Sequence, residues 1–194
     1  MTVGCDHLLN FGRQIDRVRS ALRLLDFVQS DPRMFRPSQR KIFPQLFKSW
    51  IFFAAREIII TVDDFHKSLT AAKTMFDRSN SLRSRFVPPL EAARERFIAR
   101  FPDHDGLRNV ACHLVDYSLK PKDVDKNSFS GTHSQNGISL VNVTKVMASE
   151  NIYNRTISYT AGGIFLKFDL VDDVAISLER ITLDFAKSSG LEVF

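Results

Sequence analysis

Phe47, Ile51, Ala54, Ile58, Val62, Phe65, Leu69, Ala72 and Phe76 recur at steps of three or four residues, with no glycine or proline for more than thirty residues. Such steps keep the side chains on one stripe of an α-helix, so the segment predicts a rod roughly 45–50 Å long at about 1.5 Å per residue. A rod of that length organises whatever packs around it. Around Trp50, Phe52, Phe53, Ile59 and Ile60 the apolar character wraps most of the circumference, so that part is expected to be enclosed by several helices or by a second subunit.

The flanking patterns are also helical. Leu8, Phe11, Ile15, Val18, Leu22, Leu25 and Val28 stripe a first helix that should end near Ser30-Asp31-Pro32. A basic connector from Arg33 to Phe43 follows, and Pro44 suits the first turn of the second, long helix. After a polar break from Asn80 to Phe86, Pro88-Pro89 is expected to open a third helix, Leu90 to Phe101. Pro102 to Gly106 reads as a turn whose aspartates cap a fourth helix, Leu107 to about Ser118. Lys120 to Gly137 reads as a mobile loop. Ile138–Met147, Ile152–Thr160 and Ile164–Leu170 are rich in β-formers, and Ala161-Gly162-Gly163 supplies a hairpin turn. Asp172-Asp173 then favour a helix N-terminus, and Val174, Leu178, Ile181 and Phe185 stripe a last helix that stops before Gly190. The expected fold is a single, mainly α domain over residues 1–194. An up-and-down bundle takes residues 8–118 and 171–188, and a small antiparallel sheet at 138–169 is inserted before the C-terminal helix.

At 194 residues, 44% hydrophobic and 25% charged, the chain has the composition of a core-forming protein rather than a disordered one. Its greasiest stretch is cut by Arg56 and Glu57, far short of the roughly 20 apolar residues that span a bilayer, and the N-terminus resembles no secretory signal. Cys5 and Cys112 cannot frame a domain of this size with disulfides, so a cytoplasmic location is expected. Under that expectation the sequons at Asn142 and Asn154 carry no meaning.

Charge is uneven. Residues 1–100 hold 18 Lys and Arg against 10 Asp and Glu, a net of +8, whereas residues 101–194 have a net of −3. Arg13, Arg17, Arg94, Arg96 and Arg100 are therefore candidates for contacting nucleic acid, because guanidinium forks match phosphate geometry; solvated helix faces are the competing explanation. Glycine-rich phosphate loops, CxxC pairs, HExxH and GxSxG are all absent, which removes the usual support for P-loop, zinc-finger, zincin and serine-hydrolase chemistry. Neither a metal nor a cofactor is expected: Asp103, His104, Asp105, His113 and Asp116 show no established ligand spacing, and capping accounts for the aspartates.

One segment carries chemistry. On a helix beginning at Leu107, the residues Leu107, Val110, Ala111, Leu114 and Tyr117 share an apolar side. Arg108, Asn109, Cys112, His113 and Asp116 fall on the other. Asn109 and His113 are neighbours one turn apart, and the long arm of Arg108 reaches the same surface. A guanidinium, an amide and an imidazole together suit a phosphodiester, since arginine neutralises non-bridging oxygens and histidine moves a proton near neutral pH. Asp116, three residues on, is placed to orient His113.

Arg108-Asn109-Val110-Ala111-Cys112-His113 resembles the signature of the HEPN superfamily, an arginine and a polar residue followed by a histidine on the fourth helix of an all-helical bundle. The resemblance implies a homodimer whose motifs face one another and form a metal-independent endoribonuclease in a defence, toxin or stress role, with RNA or a nucleotide as ligand and an antitoxin-like protein as a possible partner. Carried onto this chain, it implies that Arg108 steadies the scissile phosphate, Asn109 orients it, and His113 acts as general base or acid. A degenerate member that only binds nucleic acid or protein is the alternative. The chain departs from the nucleotide-accepting members, whose tyrosine two residues after the histidine is here Val115, and the strand-rich stretch 138–169 is no part of the minimal bundle.

Overall fold

The computed structural model describes residues 2–30, 44–118, 121–135, 138–146, 151–153 and 155–191. Its helices are α1 (Thr2–Ser30), α2 (Pro44–Asp77), α3 (Arg83–Arg100), α4 (His104–Ser118), α5 (Pro121–Asn127) and α6 (Asp172–Ser188). Its strands are β1 (Phe129–Gln135), β2 (Ile138–Val146), β3 (Asn151–Tyr153), β4 (Thr156–Ala161) and β5 (Ile164–Asp169). The connector from Arg33 to Phe43 lies outside the described residues.

The helical stripes are what the bundle buries. Phe11, Val18 and Leu25 of α1, Ile58, Phe65 and Leu69 of α2, Leu90 and Phe97 of α3, and Leu178 and Phe185 of α6 meet in one core cluster. The four helices form a ring in which α1 packs on α2, α2 on α3, α3 on α6 and α6 on α1. Each neighbouring pair runs antiparallel: Phe11 meets Phe65 while Arg17 meets Glu57, Phe76 meets Phe86 while His66 meets Phe97, and Phe11 meets Phe185 while Arg19 meets Glu179. Between α3 and α6, Arg85 reaches Ser189 and Arg100 reaches Asp173. The fourth helix stands outside the ring and packs across α2.

Two expectations are corrected. Helix α3 starts at Arg83, so Pro88 and Pro89 lie inside it rather than opening it. Burying Phe86 and Val87 against α2, with the Phe86 ring stacked 4.5 Å from that of Phe76, draws the helix start ahead of the prolines. Residues 121–135, expected as loop, form α5 and β1. The latter pairs antiparallel with β2, Phe129 opposite Val146 and His133 opposite Leu140, and rests its Phe129 and His133 rings on Phe165.

There are accordingly two small sheets among the described residues, β1-β2 and β3-β4-β5. The expected strand 152–160 is split by Arg155, whose φ of 63° turns the chain while its carbonyl accepts from Leu170 N–H and its Nε donates to the Leu170 carbonyl. The hairpin between β4 and β5 turns at Gly162 and Gly163, with φ of 57° and 77°, the positive values a two-residue hairpin loop requires. Ile157, Tyr159, Leu166 and Phe168 join the core, so this sheet extends it and backs α4. Gly106 of α4 lies so close to β5 that an added Cβ would sit 3.3 Å from Leu166 Cδ1. No described helix is long and apolar enough to cross a membrane.

Candidate functional site

Leu107, Val110 and Ala111 turn into the core and pin α4 against α2 and the sheet. The polar side of α4 follows from that anchoring. Arg108 and Asn109 are brought together: Arg108 Nη1 donates to Asn109 Oδ1 at 3.2 Å. The Nε end of Arg108 lies 3.8 Å from Oδ2 of Asp63 on α2.

His113 occupies a different backbone setting. Its φ and ψ of −120° and 24° break the helix inside α4, and its side chain is exposed. Residues beyond it leave the axis of 104–112, so the single helical wheel that set Asp116 beside His113 does not extend past the bend. The side chains of Asp116, Leu114 and Tyr117 lie outside the described residues. Cys112 is an exposed free thiol.

Behind Arg108 is a charged network that the motif did not reveal. Asp63 is 1% exposed, and its carboxylate takes a hydrogen bond from His104 Nδ1 at 2.9 Å and an ion pair from Lys67. Burial pushes the Asp63 carboxyl up, but hydrogen bonds from Lys67 and His104, together with their charges, outweigh it and hold the pKa below the usual carboxylate range. Because an ionised carboxylate only accepts, His104 Nδ1 is the donor. The ring of His104 meets His66 edge-on, centroids 4.5 Å apart, and His66 lies flat against Phe97 at 5.1 Å. Burial first, then the neighbouring His104 and Arg94, lower the His66 pKa, with Asp63 and Asp105 opposing. One available signal pointed here: extending the buried pair Ala55 and Ile59 by another four residues along α2 lands on Asp63.

The candidate nucleic-acid arginines do not form one surface. Arg17 of α1 bonds Glu57 at 2.8 Å, Arg96 of α3 pairs with Asp184, and Arg100 bonds Asp173 at 2.6 Å. All three tie neighbouring helices of the ring together. Arg13 lines a groove of about 560 Å³ between α1 and α2 with Leu24, Phe53 and Glu57. The charge of Arg94 on α3 helps to lower the His66 pKa. No group of three His, Cys, Asp or Glu among the described residues is arranged to hold a metal ion. Compared with known proteins, the chain matches no family model, no curated protein and no solved structure.

Proposed function

We propose that the chain is a HEPN-like, metal-independent endoribonuclease whose phosphate-holding group is Arg108. The observation that carries this reading is the pairing of Arg108 with Asn109 on the polar side of α4, with Asp63 behind it and His113 exposed at the bend five residues on. Asp63 opposes only part of the positive charge brought by Lys67 and Arg108, so the guanidinium keeps attraction for an anion. In the reaction, His113 removes the proton of a ribose 2′-hydroxyl, the 2′-oxygen attacks phosphorus, and the bond to the 5′-oxygen breaks. The leaving oxygen takes a proton, and a 2′,3′-cyclic phosphate and a 5′-hydroxyl result. Arg108 neutralises the charge building on the non-bridging oxygens, and Asn109 holds their orientation. A second imidazole for the leaving group comes from a second copy of the chain, so the active form is a homodimer.

Purified protein incubated with single-stranded RNA in EDTA is the test. Cleavage that is lost in His113→Ala and Arg108→Ala supports the reading; cleavage unchanged in His113→Ala refutes it. The bend at His113 favours one other reading, a nucleic-acid- or protein-binding module with a degenerate motif. Such a module binds RNA with strong salt dependence, cleaves nothing, and is indifferent to His113→Ala.

A further inference from the structure

Phe53 on α2 is 64% exposed and Leu9 on α1 is 60% exposed, so the ring leaves large apolar side chains uncovered on these two helices. Beside Phe53 runs the groove of about 560 Å³, lined by the small residues Ser20, Ala21 and Ala54 and by Leu24. An apolar hollow of about 470 Å³ adjoins it, sharing Leu24 and Phe53. Gly12 adds to the pattern. It lies inside α1, where glycine weakens a helix, yet a Cβ there would meet nothing within 4 Å. Among the described residues, no close contact accounts for the missing side chain.

The charges on this face select its occupant. Arg17 is bonded to Glu57 at 2.8 Å, but the exposed Arg13 has no carboxylate within 4.0 Å among the described residues, and the exposed Asp16 meets only Arg19 among them, at 3.8 Å. At about 100° per residue, Leu9, Arg13, Asp16, Ser20 and Leu24 fall within about 80° of one another on α1. An open cation and a loosely held anion three residues apart on one face leave no surplus charge to favour a nucleic acid. They do complement themselves about a twofold axis: a second α1, turned end for end, sets its Asp16 against Arg13 and its Arg13 against Asp16. The same rotation carries Leu9 of each copy to the level of Ser20 on the other. Phe53 stands near that level, because α1 and α2 are antiparallel and Arg17 meets Glu57, one turn from Phe53. Gly12, close to the axis, lets the two helices approach.

We propose that a second copy of this chain docks on this face, α1 against α1 in antiparallel pairing about a twofold axis between Arg13 and Asp16, with Leu9 of each copy seated beside Phe53 and Leu24 of the other. The two Arg13–Asp16 pairs fix the register, and the groove on either side of them supplies apolar burial. The inference stands apart from the nuclease reading, which calls for two copies without saying which face joins them.

Sedimentation equilibrium over micromolar concentrations is the test, with helical circular dichroism as the check on folding. Wild-type protein should reach twice the 22.2 kDa chain mass. Arg13→Asp and Asp16→Arg each set like charges across the axis and should weaken the dimer at least about tenfold, whereas the double variant reverses both charges and should return to within about threefold of wild type. Gly12→Leu strengthens the helix and should still weaken the dimer at least about tenfold, a result that no folding defect explains. A monomer at every concentration, single charge variants that match wild type, or a double variant that fails to recover overturns the interface. RNA cleavage is scored separately: a dimer with this pattern of variants that leaves RNA intact ends the nuclease reading and keeps the interface.

Discussion

His104 on α4 and Asp63 on α2 meet through Nδ1 and Oδ1 at 2.9 Å, 41 residues apart in sequence. That bond connects the long helix of the ring to the helix bearing the candidate site, and it lies between the core and the solvent face. The same carboxylate lies 3.8 Å from Arg108 Nε, so the bond also sits behind the guanidinium of the candidate site.

Asp63→Asn keeps the shape and removes the charge that Lys67, His104 and Arg108 share. The expected cost is about 2–3 kcal/mol in stability, because three donors lose their anion while remaining partly buried. RNA cleavage should fall as well, through a disordered Arg108. Urea unfolding midpoints and initial cleavage rates check the two effects; an unchanged midpoint would show that the network contributes nothing to the fold.

His66 makes stability depend on pH near neutrality. Its folded pKa lies below the unfolded value near 6.5, so the unfolded chain binds more protons as pH drops through that range. The contribution is complete above about pH 6.5 and is lost as pH falls from there toward the folded pKa. Asp63, whose folded pKa is also lowered, loses its contribution only below its ordinary value of 3.8. Thermal melts between pH 7.5 and 5 should thus show a falling midpoint, and His66→Gln should flatten it. A slope identical in the variant would assign the effect elsewhere.

The ring arginines should matter little one at a time. Arg96→Ala and Arg100→Ala each remove an exposed ion pair, worth less than about 1 kcal/mol. Their oligonucleotide affinities should stay within about twofold of wild type, since their charges are already answered by Asp184 and Asp173. Denaturation curves and fluorescence anisotropy measure both quantities, and a loss of tenfold in affinity for either variant would move the binding face onto α3 and α6.

Gly106 reports on how tightly the sheet holds α4. Alanine there improves helix propensity by about 1 kcal/mol and meets only the tip of Leu166, so Gly106→Ala should stabilise by about 0.5 kcal/mol. Gly106→Val drives bulk into β5 and should cost about 1–3 kcal/mol. Two destabilised variants would mean that Leu166 does not yield at all.

The bundle was readable because its helices are amphipathic on a single stripe. The run from Phe47 to Phe76 specified α2 almost to the residue, and the paired glycines located the hairpin turn. Misplaced elements were those whose identity depends on distant partners. The polar segment of β1 is a strand only because β2 and Phe165 accept it, and α3 begins early only because Phe86 finds Phe76. The site divided the same way. Arg108 and Asn109 are adjacent in sequence and adjacent in space, whereas Asp63, His66 and Arg94 come from other helices and leave no local spacing to read.

Helix α6 closes the ring by lying between α1 and α3, and its Phe185 meets Phe11 edge to face. A nascent chain has no such cover until the residues of α6 have left the ribosome, after both sheets have been made. Until then the stripes of three helices stand open to chaperones and to one another, so translation through the strand-rich segment is the interval in which this protein is most exposed to misassembly.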